Sequence, residues 1–348
     1  MATLEDICSD PGWYPNRLLV PFSKLEFCAM SPESYRDSAF LDNRIRTASD
    51  ATETLSFSDI GAAVAGIEQR PTHFIFHNAF ACSTLLTRYL DALNGPLLLR
   101  EPNSLYELAT LRRFAGTPML KQLQHVSWDV LFQFMVRLLA RRYRPEHATI
   151  IKPTDGCNNI MQPLLAAHAE NRAVFIYAPL ERFLVSILRH APRHEWVKVR
   201  ARELLFDIFR DTGSVTVTPE SLTVEQAAAL VWILHTDRYL ACVQSMGQRC
   251  ASIDADDLVA DPAEIVWKLV EHFGLGFTRE EVVERLGSTQ ANVHSKSADE
   301  GYDDQRREQD FVAARAHYGE QIERAIAWSG SFCVSRKLDE PLPNPLTC

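Results

Sequence analysis

The chain has 348 residues, 46% hydrophobic and 23% charged, which is the composition of a soluble globular protein with room for one large domain or two. Its formal net charge of −9 lacks the basic footprint that general nucleic-acid binding needs, so any anion site has to be local. No apolar run approaches the roughly 20 residues of a membrane helix, and no basic-then-apolar segment follows Met1, so the expectation is a cytoplasmic protein with no membrane partner.

In chain order, Pro11, Pro15 and Pro21 punctuate the start, and Ser56-Phe-Ser-Asp-Ile reads as a capped helix opening. Residues 1–70 are expected to form an N-terminal extension packed on the core, and residues 71–348 an α/β domain with a C-terminal helical segment. From residue 72 the alternation becomes regular. Phe74-Ile-Phe-His77 is a predicted strand, and Ser83 to Leu93 a helix with Leu86, Leu90 and Leu93 at helical spacing. Further strands are predicted at Leu97–Leu99, Ala148–Ile151, Ala173–Tyr177 and Cys250–Ile253. Helices are predicted at Trp128–Tyr143, Asn158–Ala169, Glu181–His190, Val224–Met246, Asp261–Phe273 and Phe311–Trp328.

Strands separated by helices imply right-handed crossovers and a mostly parallel five-stranded sheet with helices on both faces. Ligands of such sheets sit at the carboxyl ends of the strands. The polar residues there are His77, Asn78, Arg100, Glu101, Lys152, Asp254 and Asp256. Each has an ordinary structural reading as a cap or ion-pair partner. The eight cysteines form no CxxC pair, so the expectation is reduced thiols, with no zinc or thioredoxin motif and no metal.

The segment His77 to Thr84 lies between the first predicted strand and its helix, where backbone N–H groups and the helix dipole favour a phosphate or sulfate. It contains no glycine, lysine or arginine. A kinase P-loop would need Gly-x-x-x-x-Gly-Lys-Ser/Thr, and the lysine is missing.

Four blocks, in order over roughly residues 72–296, resemble the sulfotransferase family. Ile75 to Leu86 stands where that family has a strand and a Pro-Arg-Ser-Gly-Thr-Thr-Leu-Leu type loop. Leu98-Leu-Arg-Glu-Pro102 is similar to its Glu-Pro segment. Ile151-Lys-Pro153, running on to Ala173–Ser186, is similar to its Lys-x-Pro segment and the strand, loop and helix that hold a 3′-phosphate. Asp257-Leu-Val-Ala-Asp-Pro262 with Phe273-Gly-Leu275 is similar to its C-terminal stretch. The resemblance implies an α/β three-layer sandwich of the P-loop NTPase-like, sulfotransferase-like type. It also implies 3′-phosphoadenosine-5′-phosphosulfate as donor, no metal, and a hydroxyl or amine acceptor on a small molecule or glycan.

Carried over by position, Ala81, Cys82, Ser83 and Thr84 would hold the 5′-phosphosulfate, and Ser186 the 3′-phosphate. Glu101 would be the general base with His77 as an alternative, and Lys152 the cation at the bridging oxygen. His294 and Lys296 fall in a late polar loop that would fold over the donor. The sequence departs from the family pattern at Phe80, where a basic residue is usual, at Cys82, where glycine is usual, and at Ala178, where an arginine is usual. Losing a charged contact to a phosphate removes about 1.5–3 kcal/mol, so other cations have to substitute. Arg182, Arg189, Arg193 and Lys198 are near in sequence, and Arg182, Ser186 and Arg189 share one helical face at i, i+4 and i+7. Three readings follow: a sulfotransferase-like enzyme, a noncatalytic relative that senses a nucleotide or serves as a scaffold, and a P-loop small-molecule kinase. Acceptor identity and oligomeric state are open at this point.

Overall fold

The computed structural model describes residues 2–115, 117, 127–288, 304–330, 338 and 340–346. Three strands, β1 (Trp13–Leu19), β2 (Lys24–Ala29) and β3 (Thr52–Ser56), form an antiparallel sheet in that order, with Leu25 opposite Leu55. Five more, β4 (Thr72–His77), β5 (Leu97–Arg100), β6 (Thr149–Lys152), β7 (Ala173–Tyr177) and β8 (Cys250–Asp254), form a second sheet in the order β5-β6-β4-β7-β8. The β4–β6 and β5–β6 pairs are parallel. This is the expected α/β architecture, a central parallel sheet flanked by helices.

The burial of the strands explains their sequences. Every residue of β4, β6 and β7 is buried, and a strand covered on both faces reads as a continuous apolar run. Within β4, Phe74, Ile75 and Phe76 are no more than 2% exposed, each worth about 1.5–3 kcal/mol of transfer free energy. Local signals set the helices. Ser56 caps Phe57–Val64 by accepting from the Asp59 N–H at 3.1 Å, and Thr223 with Gln226 forms a capping box for Val224–Met246.

Several element boundaries differ from the sequence expectation for identifiable reasons. The segment expected as one helix from Asn158 is a 3-10 turn, Asp155–Ile160, then an α-helix, Met161–Ala166. Pro163 has no N–H and clashes with the preceding turn, so an α-helix holds it only near its start. The expected helix Phe311–Trp328 is two helices, Asp304–His317 and Gly319–Ser329, separated at Tyr318 with φ −101° and ψ 13°. Gly319 there has low helix propensity. The helices Asn103–Phe114, Ala191–Thr212 and Arg279–Ser288 were not anticipated.

The chain divides into two compact units. One comprises Met1–Phe76, Thr87–Ala173 and Val270–Thr278; the other comprises His77–Leu86, Val174–Leu269 and Arg279–Cys348. Residues 1–70 therefore belong to the unit that contains β5 and β6.

Candidate functional site

The loop after β4 leads into the helix Ser83–Ala92, and residues 77–86 belong to the second unit. The Cys82 carbonyl accepts the first intrahelical bond, from the Leu86 N–H at 3.1 Å. The N–H groups of Ser83, Thr84 and Leu85 thus open the helix ahead of its first i to i−4 bond. Ala79, Phe80 and Cys82 have φ of 65°, 51° and 58°, in the left-handed region that favours glycine. Each such residue costs about 1–2 kcal/mol, and clusters of such strain occur where backbone geometry serves a ligand. Cys82 therefore holds a backbone conformation that glycine adopts without strain. Ala81 is buried, and Ser83 and Thr84 are 6% and 9% exposed.

His77 helps to hold this shape. Its Nδ1 accepts from the Ala79 N–H at 3.0 Å. A neutral imidazole accepting at Nδ1 carries its proton on Nε2, which leaves no lone pair for a substrate proton. The geometry makes His77 a staple of the loop.

Phe80 is half-buried between aromatic rings. It meets Trp196 edge-on at 5.0 Å and Phe183 at 6.4 Å. The Arg193 guanidinium lies 4.1 Å from the centre of the Phe80 ring. Arg193 comes from the first turn of Ala191–Thr212. Its Nη1 donates to the Ser186 carbonyl at 2.6 Å and to the Ser186 hydroxyl. Burial, reinforced by Arg189, pushes the Arg193 pKa down to about 10, which leaves it charged at neutral pH. A single cation therefore joins Phe80 to Ser186.

The expected face of Arg182, Ser186 and Arg189 exists on the helix Leu180–Leu188, with Arg189 as its C-cap. Both arginines are engaged by carboxylates. Arg182 pairs with Asp256 through Nε and with Glu308 at 2.7 Å, and its guanidinium stacks 4.2 Å from the Phe311 ring. Arg189 donates to Asp310 at 2.9 Å. Asp254 caps the helix Ala255–Ala260 by accepting from the Asp256 N–H at 2.8 Å. Burial raises its pKa to about 6, opposed by the bond from the Asp256 N–H and by Arg182 and aided by the charges of Asp256 and Asp257.

In the first unit, the β5–β6 register sets Arg100 opposite Lys152. The next residue, Glu101, donates its N–H to the Lys152 carbonyl at 2.6 Å, and its Oε1 accepts from Lys152 Nζ at 2.5 Å. Glu101 also has a left-handed φ of 51°. Lys152 is 1% exposed, and burial lowers its pKa against the pull of Glu101. The Phe40 ring lies 5.3 Å from its Nζ. Arg100 has a structural role, pairing with Asp91 and donating to the carbonyls of Tyr35 and Ser38.

His294 and Lys296 lie outside the described residues. The contribution of Trp196, and the placement of Arg193 on Phe80, were not legible in the sequence, because the helix carrying both follows a break at Arg189–His190. Among the described residues, no group of three or more His, Cys, Asp or Glu is arranged to hold a metal ion, and no helix is long and apolar enough to cross a membrane.

No protein-family model and no curated protein matches the chain. Solved structures similar to it include a sulfotransferase domain from the curacin biosynthetic pathway, at 13% identity and a TM-score of 0.38, covering 72% of this chain and 99% of that one. A sulfotransferase of Mycobacterium tuberculosis is similar at 14% identity and a TM-score of 0.37, covering 66% of this chain and 76% of that one. A sulfotransferase of Alicyclobacillus acidocaldarius is similar at 12% identity and a TM-score of 0.36, covering 75% and 96%.

Proposed function

We propose that the chain is a sulfotransferase-like enzyme. It would bind 3′-phosphoadenosine-5′-phosphosulfate and transfer the sulfuryl group to a hydroxyl or amine of a small molecule or glycan. The observation that carries the reading is Arg193, seated on Phe80 and bonded to Ser186. It offers positive charge in place of what the sequence lost at Phe80 and Ala178. The strained loop and the helix start at Ser83 support an anion there as well.

On this reading the backbone from Ala81 to Thr84 takes the 5′-phosphosulfate, and the Ser186 hydroxyl, accepting from Arg193, keeps its own proton to donate to the 3′-phosphate. The acceptor oxygen or nitrogen forms a bond to sulfur while the bond from sulfur to the bridging oxygen breaks. The bonding electrons leave with adenosine 3′,5′-bisphosphate. A general base takes the acceptor proton, and a cation offsets charge on the bridging oxygen.

A second reading, a noncatalytic relative, is favoured by the carboxylates that occupy Arg182 and Arg189. Thermal denaturation separates the readings, since a ligand of the native state raises its stability. Adenosine 3′,5′-bisphosphate is expected to raise the Tm and ATP with magnesium to leave it unchanged. A shift with ATP and magnesium alone indicates a kinase, and no shift with either favours the noncatalytic relative.

A further inference from the structure

We propose that the helix Asp304–His317 is an autoinhibitory plug, whose Glu308 and Asp310 carboxylates stand in for the oxyanion of a ligand on the Arg182–Ser186–Arg189 face. The proposal rests on the reading that this face takes the 3′-phosphate.

The geometry is specific. Glu308 reaches Arg182 at 2.7 Å and Asp310 reaches Arg189 at 2.9 Å. One acidic pair, two residues apart, thus satisfies two cations seven residues apart on the facing helix. A phosphate monoester would offer those cations the same chemistry, oxygen acceptors with negative charge. The plug is held by contacts of two kinds. Phe311 lies against Arg182, and Arg315 pairs with Glu181, so the helix is also held in place by groups outside the Glu308 and Asp310 pairs. The Glu308 and Asp310 side chains are 54% and 47% exposed, and ion pairs this exposed are individually weak and exchangeable.

Asp256, which also pairs with Arg182, belongs to the strand-end helix Ala255–Ala260 and remains when the plug leaves. Arg182 is then still half-neutralised, whereas Asp310 is the one ion-pair partner described for Arg189. Arg189 is therefore the cation that release of the plug uncovers most fully.

The test is calorimetry with adenosine 3′,5′-bisphosphate on the full chain and on the double variant Glu308→Gln/Asp310→Asn. These isosteric surface changes preserve shape and remove both charges. Removal of two competing exposed pairs is expected to tighten binding about 3- to 30-fold. Arg189→Ala is expected to weaken binding and to abolish the gain when combined with the double variant. Amide hydrogen exchange across residues 304–317 provides a second readout, and it is expected to rise in the wild type when the nucleotide is added. If Arg189→Ala weakens binding but the double variant binds as the wild type does, the plug is overturned and the phosphate face stands. If Arg189→Ala leaves the affinity unchanged, the face itself is overturned. If neither the wild type nor the double variant binds, both fall.

Discussion

The guanidinium of Arg193 lies 4.1 Å from the centre of the Phe80 ring and bonds to Ser186 at the same time. A cation over an aromatic face is worth about 0.5–2 kcal/mol, more where water is excluded. An aromatic residue at a position expected to be basic thus serves as the platform for a base from another helix.

Phe80→Ala removes that platform and the edge contact with Trp196. Affinity for adenosine 3′,5′-bisphosphate is expected to fall about 3- to 30-fold, while Phe80→Tyr, which keeps the ring, binds as the wild type does. Titration calorimetry on variants with a cooperative thermal transition checks this. Equal affinities for the alanine and tyrosine forms would remove the platform from the account.

The Glu101–Lys152 pair makes a stability prediction. Lys152 is buried, so losing its carboxylate leaves an uncompensated ammonium in the interior. Glu101→Ala is expected to cost about 3–5 kcal/mol in chemical denaturation, and Glu101→Ala/Lys152→Met to recover most of it. A double variant no more stable than the single one would mean that packing, and not charge pairing, dominates there.

Cys82 occupies left-handed backbone where glycine is free and a β-branched residue is most strained. Cys82→Gly is expected to be more stable than Cys82→Val by about 1–2 kcal/mol. Urea midpoints ranked in the opposite order would show that the loop relaxes out of this conformation.

Asp254 gives a pH dependence with a definite sign. Its folded pKa is raised from 3.8 to about 6, chiefly by burial. The stability it contributes is fully present below about pH 4, and it is lost as pH rises through 6. Around it, the charges of Asp256 and Asp257 reinforce the shift, and the bond from the Asp256 N–H and the charge of Arg182 oppose it. Asp254→Asn keeps a side-chain cap without the charge, so the Tm of the wild type is expected to fall relative to this variant between pH 4 and 7. A constant Tm difference across that window would contradict the assignment.

The strands of the central sheet were legible because a strand buried on both faces is written as an unbroken apolar run, as in Phe74–Phe76 and Ala173–Tyr177. Val224–Met246 was legible with both ends correct, since Thr223 and Gln226 mark its start. The helix Ala191–Thr212 was not, because its exposed faces are charged and its periodicity is weak. Pro192 near its start and Gly213, with φ 76° at its end, were the available signals. The loop's place between strand and helix was legible. The approach of Arg193 to Phe80 was not. The helical projection grouped Arg182, Ser186 and Arg189, but Glu308 and Asp310 reach those arginines from more than 110 residues away, a pairing no local pattern encodes.

The central claim is that Arg193 restores a phosphate-binding cation to a loop that lost its own. Titration of Arg193→Met with adenosine 3′,5′-bisphosphate, beside the wild type, tests it most directly. Measurable wild-type binding, weakened about 10- to 100-fold in the variant, is the predicted result. Binding of equal strength in the two proteins would contradict it.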